Sequence, residues 1–447
     1  MIESLKTKTK RGTRRLIFME RALMQKLIQW KDAKRRKPLL LEGARQVGKT
    51  YLARDFGSRF FENVVYINFD KEKTLHDVFE STLSPASLIP AIGAVTGIRI
   101  RPEDTLIIFD EIQEEPRALT SLKYFCEDAP EYTIIATGSF MGIALHQGTS
   151  FPVGKISSMK LYPLSFAEFL EADGGGQLKE LLEKNDIKAV KSLKSVYVDK
   201  LRSYYAVGGM PEAVQSYIDN RDFNLVREIQ TSIVELYRQD FSKHAPVSLV
   251  PRLNQVWDVI PSQLAKENRK FIYGQIAKGA RAKDFELAIM WLRDCGLIHP
   301  VHRISSPHLP IKAYEELSAF KIYLNDLGIL CAMADLPVKT IFDGNRIFTE
   351  FKGALTEQYV LQQLISDMGI YPFYYSADNS RGEIDFIIQK DNRIIPLEVK
   401  AEENLQAKSL KAFTAKYGLK GARISMSDYR EQDSLTNYPL YSFMKQL

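Results

Sequence analysis

The run Gly43-Ala44-Arg45-Gln46-Val47-Gly48-Lys49-Thr50 has the residue types and spacing to hold a nucleoside triphosphate. Gly43 and Gly48 let the backbone curl so that successive N–H groups converge on phosphate oxygens, and a helix starting there adds the positive end of its dipole. Lys49 would reach the β- and γ-phosphates as a catalytic group, and the Thr50 hydroxyl would ligate Mg2+. Ala44, Arg45, Gln46, Val47 and Tyr51 complete the expected ATP-binding segment. Further along, the apolar run Leu106-Ile107-Ile108-Phe109 closes on two acids. Asp110 would bind the metal directly or through water, and Glu111 would act as general base on the attacking water. Thr137 and Ser139 both end another apolar run, and either would sense the γ-phosphate unless the segment is a plain strand-end turn.

A second constellation lies near the end of the chain. Asp385 and the pair Glu398 and Lys400 sit in two strand-like segments joined near Asp391-Asn392. Glu398 and Lys400, two apart, point to one face of their strand, and Asp385 on the paired strand reaches the same face. That is the pattern of a metal-dependent nuclease, in which Asp385 and Glu398 hold magnesium and Lys400 steadies the attacking water. Glu357, on a helix opened by Gly353, would add a further metal ligand.

The elements that position these groups follow from periodicity. Residues from about Leu16 to Trp30 have helical spacing of apolar positions, leading into a buried strand at Leu39–Leu41. Strand-like runs recur at Val64–Phe69, Thr105–Asp110, Tyr132–Ala136 and Met159–Leu164, separated by helical stretches, which implies a parallel sheet with its site at the strands' C-terminal edge. Residues Leu178 to Ser242 read as helices, broken by the tight turn Gly208-Gly209-Met210-Pro211. From Val250 to about Leu330 the pattern suggests a winged helix. Its first helix would be Phe271–Ala277, its second Ala282–Cys295, and its wing Leu297–Val301 with Lys321–Leu324. Lys278, Arg281 and Lys283 stand where DNA contacts would come from, although Asp284 and Glu286 dilute them.

The chain has 447 residues, room for about three domains, with an ordinary soluble composition and a net charge of +6. The basic excess gathers at the start, where Lys6, Lys8, Lys10, Arg11, Arg14, Arg15, Lys34, Arg35, Arg36 and Lys37 suit a polyanion or a solvated tail equally. Cys126, Cys295 and Cys331 form no disulfide or metal spacing, which fits a reducing compartment. The first residues are too polar for a signal peptide, and the longest apolar run, near Leu88 to Ile98, contains Pro90, so a cytoplasmic protein is expected.

The order of the P-loop, Phe109-Asp110-Glu111-Ile112-Gln113, Ala136-Thr137-Gly138-Ser139, Leu161-Tyr162-Pro163-Leu164-Ser165-Phe166 and Gly208-Gly209-Met210-Pro211 resembles that of prokaryotic AAA-type ATPases fused to a C-terminal restriction-endonuclease-like domain. The resemblance implies an α/β fold: a P-loop parallel-sheet ATPase core (38–172) after a basic arm and helix (1–37), a helical lid (173–245), a winged-helix domain (246–340) and a PD-(D/E)xK nuclease-like domain (341–447). It also implies homo-oligomers with nucleotide sites between subunits. Relatives often carry Gly-Arg where this chain has Gly154-Lys155, so the arginine finger is unassigned, with Arg45 and Arg117 as other candidates. Two functional classes follow. One is a DNA-acting ATPase whose last domain binds or cuts DNA, with branched or forked DNA among the candidates; the other is an ATP-driven regulatory switch acting on a protein partner.

Overall fold

The computed structural model describes residues 19–139, 152–266, 269–343, 349–377, 382–402 and 407–447. The expected basic arm up to Arg15 lies outside these residues. The helix expected from Leu16 to Trp30 is described as Leu23–Lys31, burying Met24, Leu27 and Trp30.

Five parallel strands form the first sheet: β1 (Leu39–Glu42), β2 (Asn63–Asn68), β3 (Thr105–Asp110), β4 (Thr133–Gly138) and β5 (Ser157–Lys160), in the order β2-β3-β4-β1-β5. Parallel pairing requires crossovers, which the helices Lys49–Phe60, Pro85–Thr96 and Pro116–Asp128 supply. Both faces of the three central strands are covered, so β1, β3 and β4 are buried almost throughout, whereas the edge strand β5 is half exposed. Leu39, Leu41, Leu106, Ile108 and Ile135 face one core, and Leu40, Val65, Ile67, Ile107, Phe109 and Ile134 the other. Strand β4 lies between β1 and β3, which brings the ends of all three to one edge. The last strand departs from the expected Met159–Leu164: it covers Ser157–Lys160, and Leu161 makes a final bond to Glu42 before the chain turns away.

The segment after the sheet is helical, with Lys194–Val207, Pro211–Asn220 and Phe223–His244 as its long members. The middle region supplies the helix Val250–Leu264, the helix Ala282–Asp294 and the antiparallel hairpin β6 (Ile298–Ile304) and β7 (Glu315–Leu324). The helix expected over Phe271–Ala277 does not form. Phe271 N–H bonds to Phe320 O at 2.9 Å, and the Gln263 side chain pairs with both backbone groups of Ile272. With those groups satisfied outside a helix, only the single 3-10 turn Tyr273–Gln275 remains.

The last region runs helix Thr349–Ser366, antiparallel strands β8 (Phe373–Ser376), β9 (Glu383–Lys390) and β10 (Arg393–Val399), helix Lys408–Tyr417, then β11 (Gly421–Ser425) parallel to β10. Asp391 and Asn392 close the β9–β10 hairpin with φ of 48° and 60°, the left-handed pair that a tight two-residue turn requires. Strands β12 (Arg430–Glu431) and β13 (Leu435–Pro439) complete that edge. At the other edge Arg303 of β6 bridges Tyr374 of β8, so the middle hairpin extends the C-terminal strands into one eight-stranded sheet. The strands before and after residue 340 thus belong to one sheet. No described helix is long and apolar enough to cross a membrane.

Candidate active site

The P-loop conforms to what its residues dictate. Gly43 has φ of +148°, and a Cβ there would collide with the Leu161 carbonyl. Gly48 has φ of +95° and starts the helix Lys49–Phe60 with no side-chain cap, so the first N–H groups of that helix face the loop without an internal partner. Lys49 is buried and donates to Gly43 O at 2.9 Å, Ala44 O at 2.8 Å and Ser139 Oγ at 3.0 Å. Burial pushes its ammonium down to about 8, against the opposing pull of Glu111 and Asp110. Gln46 has a left-handed backbone, and its Oε1 is buried without a partner. Tyr51 is the third residue of the helix Lys49–Phe60, 45% exposed.

Asp110 ends β3 and is the centre of a hydroxyl cluster. Its Oδ1 accepts from Thr50 Oγ1 at 2.9 Å and from Thr137 Oγ1; its Oδ2 accepts from Tyr66 OH at 2.6 Å and Asn68 Nδ2 at 3.1 Å. Thr137 is thus tied to Asp110, and Ser139 to Lys49. Motif spacing does not single out Tyr66 and Asn68, although their i, i+2 positions on β2 put both on one side of that strand. Glu111 follows in a left-handed conformation, φ 51°, and accepts from Gln113 Nε2 at 2.7 Å. It lines a small cleft with Arg45, Gln113 and Ser139, where Lys243 and His244 of the helix Phe223–His244 also reach.

The donor set at Thr50 and Asp110, two hard oxygens 2.9 Å apart beside a glycine cradle, fits Mg2+ with ATP. The ion would supply charge neutralisation between phosphates. The chain's own groups would do the rest. Loop N–H groups and Lys49 would hold the phosphates, and Glu111 would take a proton from water at its carboxylate.

The loop is braced from outside. Arg21, buried, donates to Val47 O at 2.9 Å, Tyr162 O at 2.5 Å and Glu168 Oε1 at 3.1 Å. With the Val47 carbonyl held on the Arg21 side, the Gly48 N–H of the same planar peptide points the opposite way. Arg45 is ion-paired to Asp240, and its carbonyl accepts from Tyr237 OH at 3.0 Å. The other finger candidates also have partners within the chain: Arg117 donates to Phe79 O, and Lys155 pairs with Glu127.

The acidic residues of the C-terminal region are placed differently from expectation. Asp385 and Glu398 do stand on paired strands, and Lys400 Nζ reaches Glu398 Oε1 at 2.9 Å. Among the described residues, however, the group of three potential ligands with donor atoms within 4.8 Å of one another is His76, Glu80 and Glu115, and not Glu357, Asp385 and Glu398. Glu357 is ion-paired to Arg269 and accepts from Tyr323 OH at 2.9 Å. Burial pulls Glu357 up, but Arg269 and Lys321 outweigh it and hold the carboxyl below its ordinary range. Asp385, partly buried and facing Glu357, is pushed up to about 8 by desolvation and by that carboxylate. Its Oδ2 accepts the Val399 N–H at 2.7 Å. Both oxygens of Glu357 and one each of Asp385 and Glu398 already have partners within the chain, so the set as placed does not fit a dication.

Residues 35–170 match a family model described as "AAA domain". They form an AAA-type P-loop ATPase domain. Beyond this ATPase domain, residues 198–340 match "Domain of unknown function (DUF8612)" and residues 352–443 match "Domain of unknown function (DUF4143)". No curated protein sequence matches the chain. Among solved structures, the Walker-type ATPase PABY2304 of Pyrococcus abyssi is 17% identical at a TM-score of 0.44, covering 73% of this chain and 99% of its own. The Orc1 protein of Aeropyrum pernix, solved in complex with DNA, is 14% identical at 0.29, covering 72% and 92%. Cdc6p from Pyrobaculum aerophilum is 11% identical at 0.26, covering 73% and 96%. Likeness at this level says nothing of what this chain binds.

Proposed function

We propose that this chain is a magnesium-dependent ATPase that hydrolyses ATP to ADP and phosphate and couples that cycle to its hold on DNA. The observation that carries the catalytic part is Asp110. One of its oxygens is tied to Thr50 of the P-loop, and Glu111 follows it at the cleft, which joins nucleotide binding to water activation. DNA is favoured by exposed Lys278, Arg281 and Lys283 around the start of the helix Ala282–Asp294, and by exposed Lys34 and Arg35 beside the ATPase sheet. The C-terminal order of helix, three antiparallel strands, helix and parallel strand supports reading this region as a restriction-endonuclease-like core, which would add a second DNA-facing domain. Assembly into homo-oligomers follows by analogy with AAA domains. A second reading, an ATP-driven switch acting on a protein partner, has the Arg45–Asp240 pair in its favour, since it links the nucleotide loop to the helical segment.

The test is ATP hydrolysis by the purified chain alone and with duplex, single-stranded, forked or four-way-junction DNA. One form is expected to stimulate turnover, with affinity falling steeply in salt. Glu111→Gln is expected to lower turnover by about a hundred- to ten-thousand-fold while nucleotide binding persists. Turnover indifferent to every DNA, with no binding at low salt, would promote the switch.

A further inference from the structure

The cations that crowd the C-terminal acidic centre come from two directions. Lys400 belongs to the centre's own strand pair, whereas Arg269 and Lys321 come from the middle region: Arg269 precedes the 3-10 turn, and Lys321 lies on β7. Lys321 is fully buried, ion-paired to Glu383 at the start of β9, with its Nζ 5.0 Å from the Tyr374 ring centroid. Arg269, 14% exposed at the side chain, pairs with Glu357, itself 3% exposed. Both oxygens of Glu357 are thereby taken, one by the guanidinium and one by Tyr323. Glu398 keeps one oxygen, Oε2, buried without a partner, but its other oxygen is held by Lys400. Arg269 at Glu357 and Lys321 at Glu383, both with little exposure, and the partly exposed Lys400 at Glu398 thus each hold one carboxylate. A dication would have to displace these cations or sit beside them, two of them where dielectric screening is weak.

We propose that Arg269 and Lys321 permanently stand in for a metal ion at the Glu357–Asp385–Glu398 centre, making it a metal-free ionic staple between the middle region and the C-terminal domain rather than a nuclease site. The staple is continuous with neutral bonds along the same helix: Gln358 pairs with both backbone groups of Leu324, and Gln362 accepts from Leu327 N–H. The C-terminal domain is then rigidly joined to β6–β7 and acts by position, without phosphodiester chemistry. This does not depend on whether the ligand of the whole chain is DNA.

The experiment is Mn2+ titration of the full chain without nucleotide, followed by electron paramagnetic resonance. It is run in an Asp110→Asn background so that the ATPase carboxylate does not contribute, with and without Asp385→Asn. The same bound Mn2+ is expected in both. Mn2+ that is present with Asp385 and lost in Asp385→Asn would overturn the proposal, as would plasmid cleavage lost in the same variant. Thermal melts supply the second measurement. Arg269→Met is expected to lower the midpoint by several degrees, and adding Glu357→Gln to recover most of that loss, since the pair is removed together. EDTA is expected to leave the wild-type midpoint unchanged. If Arg269→Met fails to fold, the titration of the Asp385 pair still decides.

Discussion

Burial pushes the Lys49 ammonium down to about 8, and the groups that satisfy it in the free loop are neutral: two carbonyls and a hydroxyl. Triphosphate oxygens replace those partners with negative charge, which favours the protonated lysine and raises its pKa in the complex. Binding therefore takes up a proton at pH above about 8. ATP affinity is expected to be level below that pH and to fall as pH rises through it. Titration calorimetry in two buffers of different ionisation heat would measure the uptake directly, and Lys49→Met should abolish it. Affinity that stays flat to about pH 9 would show a lysine charged throughout. For the free chain the sign is opposite. A lysine depressed by burial destabilises the fold below about 8, and that penalty is relieved as pH climbs toward the unfolded value.

Among the elements, the turn at Gly208 and Gly209 joins three regions within two residues. Gly209 O accepts from Leu164 N–H at 2.7 Å, on the segment that leaves the ATPase sheet. Gly209 N–H donates to Asp326 at 2.6 Å, on the cap of the helix Leu327–Met333. A Cβ at either glycine would run into these partners, backbone atoms among them: Leu164 O for Gly209, Asp326 and Gly328 for Gly208. Gly209→Ala is expected to destabilise the chain by about 1–3 kcal/mol, read as an earlier urea midpoint, with Asp326→Asn a milder loss. An unchanged midpoint would show that the regions move apart easily. How far such elements can be read from sequence depends on how local their causes are. The P-loop, the Asp110–Glu111 step and the β9–β10 hairpin at Asp391-Asn392 are legible because a few adjacent residues dictate each backbone. The middle region is half legible. The helix Ala282–Asp294 follows its own periodicity, whereas Phe271–Ala277 carries a helical pattern that Phe320 and Gln263 override. Arg21 with Glu168 and Arg269 with Glu357 are not legible, since their partners lie 147 and 88 residues away.

On the scale of the whole molecule, the nucleotide loop is held by regions that contribute nothing to its sequence motif. Besides Arg21, it touches the Asp240–Arg45 pair, the Tyr237 hydroxyl, Pro211 near Gly48, and Gly296, whose Cβ position lies 3.3 Å from Ala44 N. Any displacement of the loop by phosphate is therefore felt in the helical segment and at the entry to the β6–β7 hairpin. The Arg45–Asp240 pair is the adjustable part. Asp240 is buried and leaves Oδ2 without a partner, and Arg45 is 41% exposed at the side chain, lining the same cleft as Glu111. Asp240 competes with phosphate for the guanidinium and adds negative charge near an anion site. Asp240→Asn removes both effects, and with a pair exposed on its Arg45 side worth on the order of 1 kcal/mol, nucleotide affinity is expected to rise about fivefold. Arg45→Met in the same background should cancel the gain, because the freed guanidinium is what delivers it. Fluorescent-nucleotide titration of the four chains closes the cycle. Weaker binding by Asp240→Asn would mean instead that the helix Phe223–His244 holds the loop in its binding form. The helical segment would then support the site rather than restrain it.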